Sequence, residues 1–349
     1  MSADGNQEDR DSAAELAPGR LRRTRESRSG KLVDVSIDEI VTELAQRIGE
    51  ESGWFSEIDA DLVSELHYRI GESIEVHENR FSRRRYGDLF AIYYEDLGSK
   101  KPALDGATFL ELGCGGLNPA GLMFVFVALG LSRGIVVDLD PVEDSPRAVK
   151  ALADVVACLL VDPSRILRER DISPEQVLRN LASFDLRAMG RGDSEGIDSS
   201  RLSHAIESAS DLSLEDESVD YIFSNSFFEH LSDPVSVIEE AYRVLRPDSL
   251  MVHGIDFIDH EHYANSQIHP LNFLTIESSE VLVNSSNRLR LSQIKRLFER
   301  HGFSILTTEI TESVPVDDAL RSNFVGPYSS MSNDDLSVLT AKITMRRKA

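Results

Sequence analysis

Apolar residues along this chain recur with a helical period in some stretches and in short unbroken runs in others. Residues 1–30 show neither pattern. They are polar, with Gly, Ser and mixed charge, and read as a disordered tail. Ser36 and Glu39 then form a capping box, and Ile37, Ile40, Val41, Leu44 and Ile48 follow at helical spacing. After a break at residues 51–53, a second helical pattern uses Leu62, Val63, Leu66, Ile70 and Ile74, and Phe90, Tyr93 and Tyr94 come after it. Residues 31–104 are therefore expected to make an N-terminal helical cap.

From Asp105 onward, short apolar runs alternate with helical segments. Thr108 to Leu112 predicts a strand. Leu122 to Leu131 predicts a helix, opened by Asn118-Pro119 and closed near Gly130, and Gly134 to Asp138 a second buried strand. Residues from about 144 to 200 read as a helical insertion: Ala148, Leu152, Val155, Val156, Leu159 and Leu160 share one helix, and Pro174 begins another. Arg201 to Ile206 predicts a short third strand, Val219 to Ser224 a buried fourth, and Leu250 to Phe257 a fifth. Ser232 or Asp233 caps the helix between the last two, with Pro234 in its first turn. Ser292 to His301 is a helix closed by Gly302, and Phe303 to Ile310 and Val338 to Met345 alternate like a final antiparallel pair. Strands alternating with helices imply an α/β fold with a doubly wound, mostly parallel seven-stranded sheet over residues 105–349.

Charge and composition narrow the partners. The net charge of −23 argues against a general nucleic-acid binder, because neutralising phosphates supplies most of such affinity. Two cysteines, Cys114 and Cys158, make no disulfide framework and suit a reduced, cytoplasmic location. The longest apolar run, near Leu122 to Leu131, falls far short of the roughly 20 residues that span a bilayer. Asp4, Glu8, Asp9, Asp11 and Glu15 fit neither a signal nor a transit peptide. Arginines cluster at 20–28 and again at Arg80, Arg83, Arg84 and Arg85. Both clusters read first as solvated charge, and the second is also placed to meet an anionic acceptor.

The candidate chemistry begins at Phe109 to Gly121. A strand, a glycine turn and a helix open a nucleotide-binding α/β unit. A dinucleotide cradle needs G-x-G-x-x-G, but the third position here is Asn118. Glu111, just before Gly113, has no use at a pyrophosphate and suits a cofactor that carries an amino group and a sulfonium. The string Glu111-Leu112-Gly113-Cys114-Gly115-Gly116 resembles the first motif of class I S-adenosylmethionine (SAM) dependent methyltransferases, which share a Rossmann-like sheet. The stretch from Asp211 through Val219-Asp220-Tyr221-Ile222 and His230-Leu231 to Arg243-Val244-Leu245-Arg246-Pro247 is similar, in order and spacing, to their fourth-strand region of the type-11 kind. Two departures stand out. Ser208, before Ala209, occupies the place of the acid that usually faces the adenine amine, and Asp248-Ser249 replaces a Gly-Gly turn. The resemblance implies SAM as cofactor, held by Glu111, Gly113, Cys114, Gly115, Asp138, Leu139, Ser208, Ala209, Asn225 and Ser226. Asp138 takes the ribose hydroxyls, with Asp140 as its alternative. A weaker likeness around Asn287-Arg288-Leu289-Arg290 to methyltransferases of sugar and cell-surface pathways implies a small-molecule acceptor, a sugar or an anionic compound.

His253, Asp256, Asp259, His260, Glu261, His262 and His269 gather at and beyond the fifth strand, where a doubly wound sheet places its ligand cleft. An alcohol acceptor must lose a proton at or near transfer, and a His–Asp pair suits that at neutral pH. His260, oriented by Asp256 or Asp259, is the expected base, with His262 and His230 as competitors. Asp259, His260 and His262 could also hold a metal, but no fixed ligand spacing supports one, and none is expected. O-methylation of a hydroxyl is the leading reading. N- or C-methylation, a non-catalytic partner of the same fold and a nicotinamide oxidoreductase are the alternatives.

Overall fold

The computed structural model describes residues 22–26, 32–36, 83–161, 163–168 and 172–349. They divide between two units, one ending at Gly71 and one beginning at Glu72. In the first unit, β1 (Arg22–Glu26) pairs antiparallel with β2 (Leu32–Ser36). β1 falls within the segment expected to be a disordered tail, the rest of which lies outside the described residues. Arg23 and Arg25 stand opposite Val35 and Val33, so a β-branched partner strand supplies the pairing that the arginine-rich segment lacks alone. The helices expected over residues 37–48 and 62–74, and Arg80 beyond them, lie outside the described residues.

The second unit is built on a seven-stranded sheet in the order β5-β4-β3-β6-β7-β9-β8. Its strands are β3 (Thr108–Leu112), β4 (Arg133–Asp138), β5 (Leu202–Ile206), β6 (Val219–Asn225), β7 (Leu245–Asp256), β8 (Phe303–Ser313) and β9 (Val338–Arg347). The strands from β3 to β7 pair in parallel, and β9 inserts antiparallel between β7 and β8. The order reverses at β3 and β6, the two central strands. In an open α/β sheet the cleft lies at such a switch point, at the carboxyl ends of the strands.

Helices cover both faces. They are α1 (Arg83–Tyr93), α2 (Gly121–Ala128), α3 (Ser145–Val161), α4 (Pro174–Asn180), α5 (Leu186–Gly190), α6 (Pro234–Val244), α7 (Glu261–Ala264) and α8 (Leu291–Arg300), with two single turns, α9 (Asp318–Arg321) and α10 (Asn333–Leu336), between β8 and β9. Side chains alternate across β3. Leu110 and Leu112 join a core with Ile222 of β6, Ile238 and Ala241 of α6, and Ile294 and Phe298 of α8. Phe109 points to the other face, edge-on to Phe126 of α2 and to Tyr221. Every residue of α2 is buried, as its uniformly apolar sequence requires. It starts at Gly121, three residues after Asn118, where the ring of Tyr86 from α1 leaves no room for a Cβ.

The Asp248-Ser249 departure is accommodated. Asp248 takes φ +62°, a left-handed conformation that a short polar side chain tolerates, and β7 continues through the turn with a register shift against β6. α3, α4 and α5 fill the predicted insertion between β4 and β5. Among the described residues, no helix is long and apolar enough to cross a membrane.

Candidate active site

The glycine loop joins the carboxyl end of β3 to α2. Gly113 has φ +70° and donates its N–H to the Val137 carbonyl at 2.9 Å. A Cβ at Gly113 would overlap the ring of Phe227, so only glycine fits there. Phe227 follows β6, and this close approach brings the exits of β3 and β6 together. Gly115, at φ +73°, has open space where a Cβ would sit, and its N–H donates to Asp138 Oδ2 at 2.6 Å. Asp138 Oδ1 accepts the Asp140 N–H at 3.1 Å. The Asp138 carboxylate therefore organises the loop as well as standing at the cleft. Glu111 is buried one residue before the strand ends. Burial, with the nearby Glu111 and Asp138 carboxylates adding to it, holds the Cys114 thiol far above its ordinary pKa, so it stays protonated and is no nucleophile.

Next along the cleft, Leu139, directly after the buried strand β4, is 69% exposed, and Ile206, the last residue of the edge strand β5, is 60% exposed. Register places Asp138 opposite Ile206, so the two apolar side chains flank neighbouring strand ends. Ser208 Oγ lies 2.8 Å from Ser210 Oγ, and Ala209 is buried in the core. Beyond β6, Asn225 Oδ1 accepts the Tyr93 hydroxyl at 2.9 Å, which ties α1 to this strand end. Ser226, at φ +50°, donates its N–H to the Gly254 carbonyl at 2.9 Å.

A second group of side chains gathers where β6 and β7 end. A single turn, Phe228–His230, turns Glu229 inward and leaves His230 at the surface. His230 Nδ1 donates to the Ser285 carbonyl at 2.9 Å, so its lone pair is on Nε2. The rings of His230 and His260 stand 4.8 Å apart, and His260 Nε2 lies 3.8 Å from Asp256 Oδ2. Asp256 is held by the Ile258 N–H at 2.8 Å and by the Tyr263 hydroxyl. Burial lowers the pKa of His260 and His230 adds to that, while Asp256 and Asp259 oppose it. The imidazole is therefore neutral, and basic, at neutral pH.

Glu229 is 3% exposed, and neither carboxylate oxygen meets a hydrogen-bond partner of good geometry among the described residues. Burial raises its pKa to about 8. The backbone N–H groups of Glu229 and Asp256 temper the shift and the Asp256 charge adds to it.

Of the five residues named from the sequence, His230, Asp256 and His260 lie together, and Asp259 and His262 make other contacts. Asp259 is fully buried and accepts the Glu261 N–H at 3.1 Å and the Asn284 side-chain amide at 2.9 Å, so it folds the loop after β7. His262 donates from Nδ1 to the Ile268 carbonyl at 2.6 Å and braces the same loop. Glu229, Tyr263 and Ile206 were not foreseen. Glu229 had a signal, an acid beside His230 in an otherwise apolar Phe227-Phe228 turn, and Ile206 had one as the apolar last residue of a short strand.

Residues 171–253 match the model of a methyltransferase domain, a span that begins after the glycine loop and runs from α4 into β7. No curated protein matches the sequence. Among solved structures, the chain is 17% identical to a protein described as a sarcosine dimethylglycine methyltransferase from Galdieria sulphuraria, with a TM-score of 0.42, covering 76% of this chain and 86% of that one. It is 15% identical to the geranyl diphosphate C-methyltransferase of Streptomyces coelicolor, with a TM-score of 0.40 and coverage of 75% and 78%. An S-adenosylmethionine dependent methyltransferase of Mesorhizobium loti gives 14% identity, a TM-score of 0.37 and coverage of 72% and 96%.

Proposed function

Because this chain is a class I SAM-dependent methyltransferase, we propose that it methylates a hydroxyl oxygen of a small molecule, a sugar or another hydroxylated compound. The cofactor end fits SAM. The open space beside Gly115 leaves the loop backbone accessible, and Asp138 stands at the strand end where ribose hydroxyls would be accepted. Leu139 and Ile206 would take the two faces of an adenine, which explains two large apolar side chains left in water. Glu111 would meet the amino group. Ser208, hydrogen-bonded to Ser210, is a weaker adenine contact than an acid, and Ala209, Asn225 and Ser226 would shape the walls. When bound, SAM supplies a methyl group on a positively charged sulfur, already activated for displacement.

The chain's own task is then to position a nucleophile and manage its proton. The observation that carries the O-methylation reading is the pairing of His260 with Asp256 beside His230, at the carboxyl ends of β6 and β7. Burial keeps His260 neutral and able to receive a proton, and Asp256 orients the ring and balances the charge that results. An acceptor screen with methyl-labelled SAM tests this reading. The label is expected on oxygen of a hydroxylated compound, and label found only on nitrogen or carbon would overturn it.

A further inference from the structure

We propose that Glu229, His230 and His260 bind one divalent transition-metal cation, with coordination positions left open for an oxygen of the acceptor. Ligand atoms from all three side chains lie within 4.8 Å of one another. They come from two separate segments, the turn after β6 and the N-cap position of α7, so the fold rather than sequence spacing assembles them. This differs from the Asp259–His260–His262 set, in which His262 is committed to the Ile268 carbonyl and Asp259 spends one oxygen on two loop contacts.

Three further features favour a cation. Glu229 is 3% exposed, and neither oxygen has a hydrogen-bond partner of good geometry among the described residues; the Glu229 and Asp256 N–H groups only partly offset its burial, a costly arrangement for a carboxylate unless something positive meets it. His230 has the backing of a liganding histidine, since Nδ1 is fixed by the Ser285 carbonyl and Nε2 keeps its lone pair. The Asp256 carboxylate, 3.8 Å from His260 Nε2, adds negative charge beside the site.

Two imidazoles and one carboxylate suit zinc, manganese, iron or cobalt better than calcium, which prefers oxygen alone. Three protein ligands mark an open site rather than a closed structural one. The proposal rests on the O-methylation reading for its acceptor and sharpens it: a hydroxyl held on the cation would lose its proton more readily, to bulk water on the exposed His230 side, and His260 would serve as a ligand in place of a base.

Calorimetry on chelator-treated full-length protein, with Mn²⁺, Zn²⁺ and Co²⁺ titrated in turn and no SAM or acceptor present, tests it. One equivalent is expected to bind, and Co²⁺ should develop the visible absorption of a nitrogen-and-oxygen site. His230→Gln, at an exposed position that should not disturb folding, is expected to weaken binding at least tenfold, and the near-isosteric Glu229→Gln should do the same. His262→Gln is expected to leave binding unchanged. Absent or substoichiometric binding, or binding that both His230→Gln and Glu229→Gln retain, overturns the proposal. Failure here is separable from failure of the O-methylation reading. Stoichiometric binding without O-methylation keeps the cation site and loses that reading, and O-methylation that persists without any cation does the reverse.

Discussion

His253 should make folding stability depend on pH in a way that one substitution removes. Its ring, on β7, is fully buried, 4.4 Å from the Phe228 centroid and stacked on Phe298 at 5.5 Å, with Nδ1 2.7 Å from Ser224 Oγ. Burial drives its pKa from 6.5 to about 3. The native state therefore holds a neutral imidazole at pH values where the unfolded chain binds a proton. The folded pKa is the depressed one, so this stability is complete above pH 6.5 and drains away as the pH falls toward 3. Linkage puts the loss at about 2 kcal/mol between pH 8 and pH 5, rising toward about 5 kcal/mol once the pH is below both values. Other groups titrate in the same window, so the informative quantity is the difference between wild type and His253→Gln. Glutamine is neutral throughout and still offers Ser224 a partner. The variant should be less stable at pH 8 by about 1–2 kcal/mol, because the stacking on Phe298 and Phe228 is gone. The wild type loses about 2 kcal/mol more than the variant by pH 5, so the deficit should vanish or reverse there. Urea unfolding followed by far-ultraviolet circular dichroism at both pH values measures it. A deficit that stays constant would refute a buried neutral histidine at this site.

Gly113→Ala forces a Cβ onto the Phe227 ring at a positive φ, and should weaken SAM binding at least tenfold by calorimetry; unchanged affinity would remove the loop from the cofactor site. His260→Gln should lower turnover by roughly 10²–10⁴ while leaving SAM affinity intact. Full turnover in that variant would mean that the acceptor hydroxyl is activated elsewhere. Arg290→Met removes a fully buried guanidinium that donates to the Phe257 carbonyl at 2.9 Å, the Leu336 carbonyl at 2.8 Å and the Val338 carbonyl. It should destabilise the fold by about 2–4 kcal/mol in urea, because three buried acceptors lose their donor.

Much of this architecture is legible in the sequence, because the strands of a doubly wound sheet are buried on both faces and cannot hide. Val219 to Ser224 reads as an apolar run and is β6 but for its last residue, and the antiparallel closing pair shows in the alternation of Phe303 to Ile310 and Val338 to Met345. The acid-to-helix transition at Asp233 is equally plain: its carboxylate accepts the Ser236 N–H at 3.2 Å, as a capping aspartate should. Helix starts are harder where tertiary contacts decide them. Asn118-Pro119 looks like an opening turn, yet α2 begins at Gly121, where Tyr86 presses on the backbone from α1. The strand at Arg22–Glu26 is illegible for a related reason, since its pairing is supplied by β2 and not by its own composition.

The candidate active site shows where reading along a chain stops working. Asp256, Asp259, His260 and His262 fall within seven residues, and residue type alone cannot rank them. Folding separates them through the backbone groups each one meets. Asp259 and His262 are spent on the Glu261 N–H and the Ile268 carbonyl, contacts within the same loop. Asp256 and His260 face each other and are left with the cleft. Glu229 carries the point further. In sequence it is one acid among sixty acidic residues, the commonest kind of exposed side chain in a chain of net charge −23. Phe228 before it is buried to 0% and takes the core position, and the tight turn that follows swings the next side chain under His260 rather than into water. A carboxylate in that position must acquire a proton or a cation, and two imidazoles within reach of it favour the cation. That preference exists only where the exits of β6 and β7 meet.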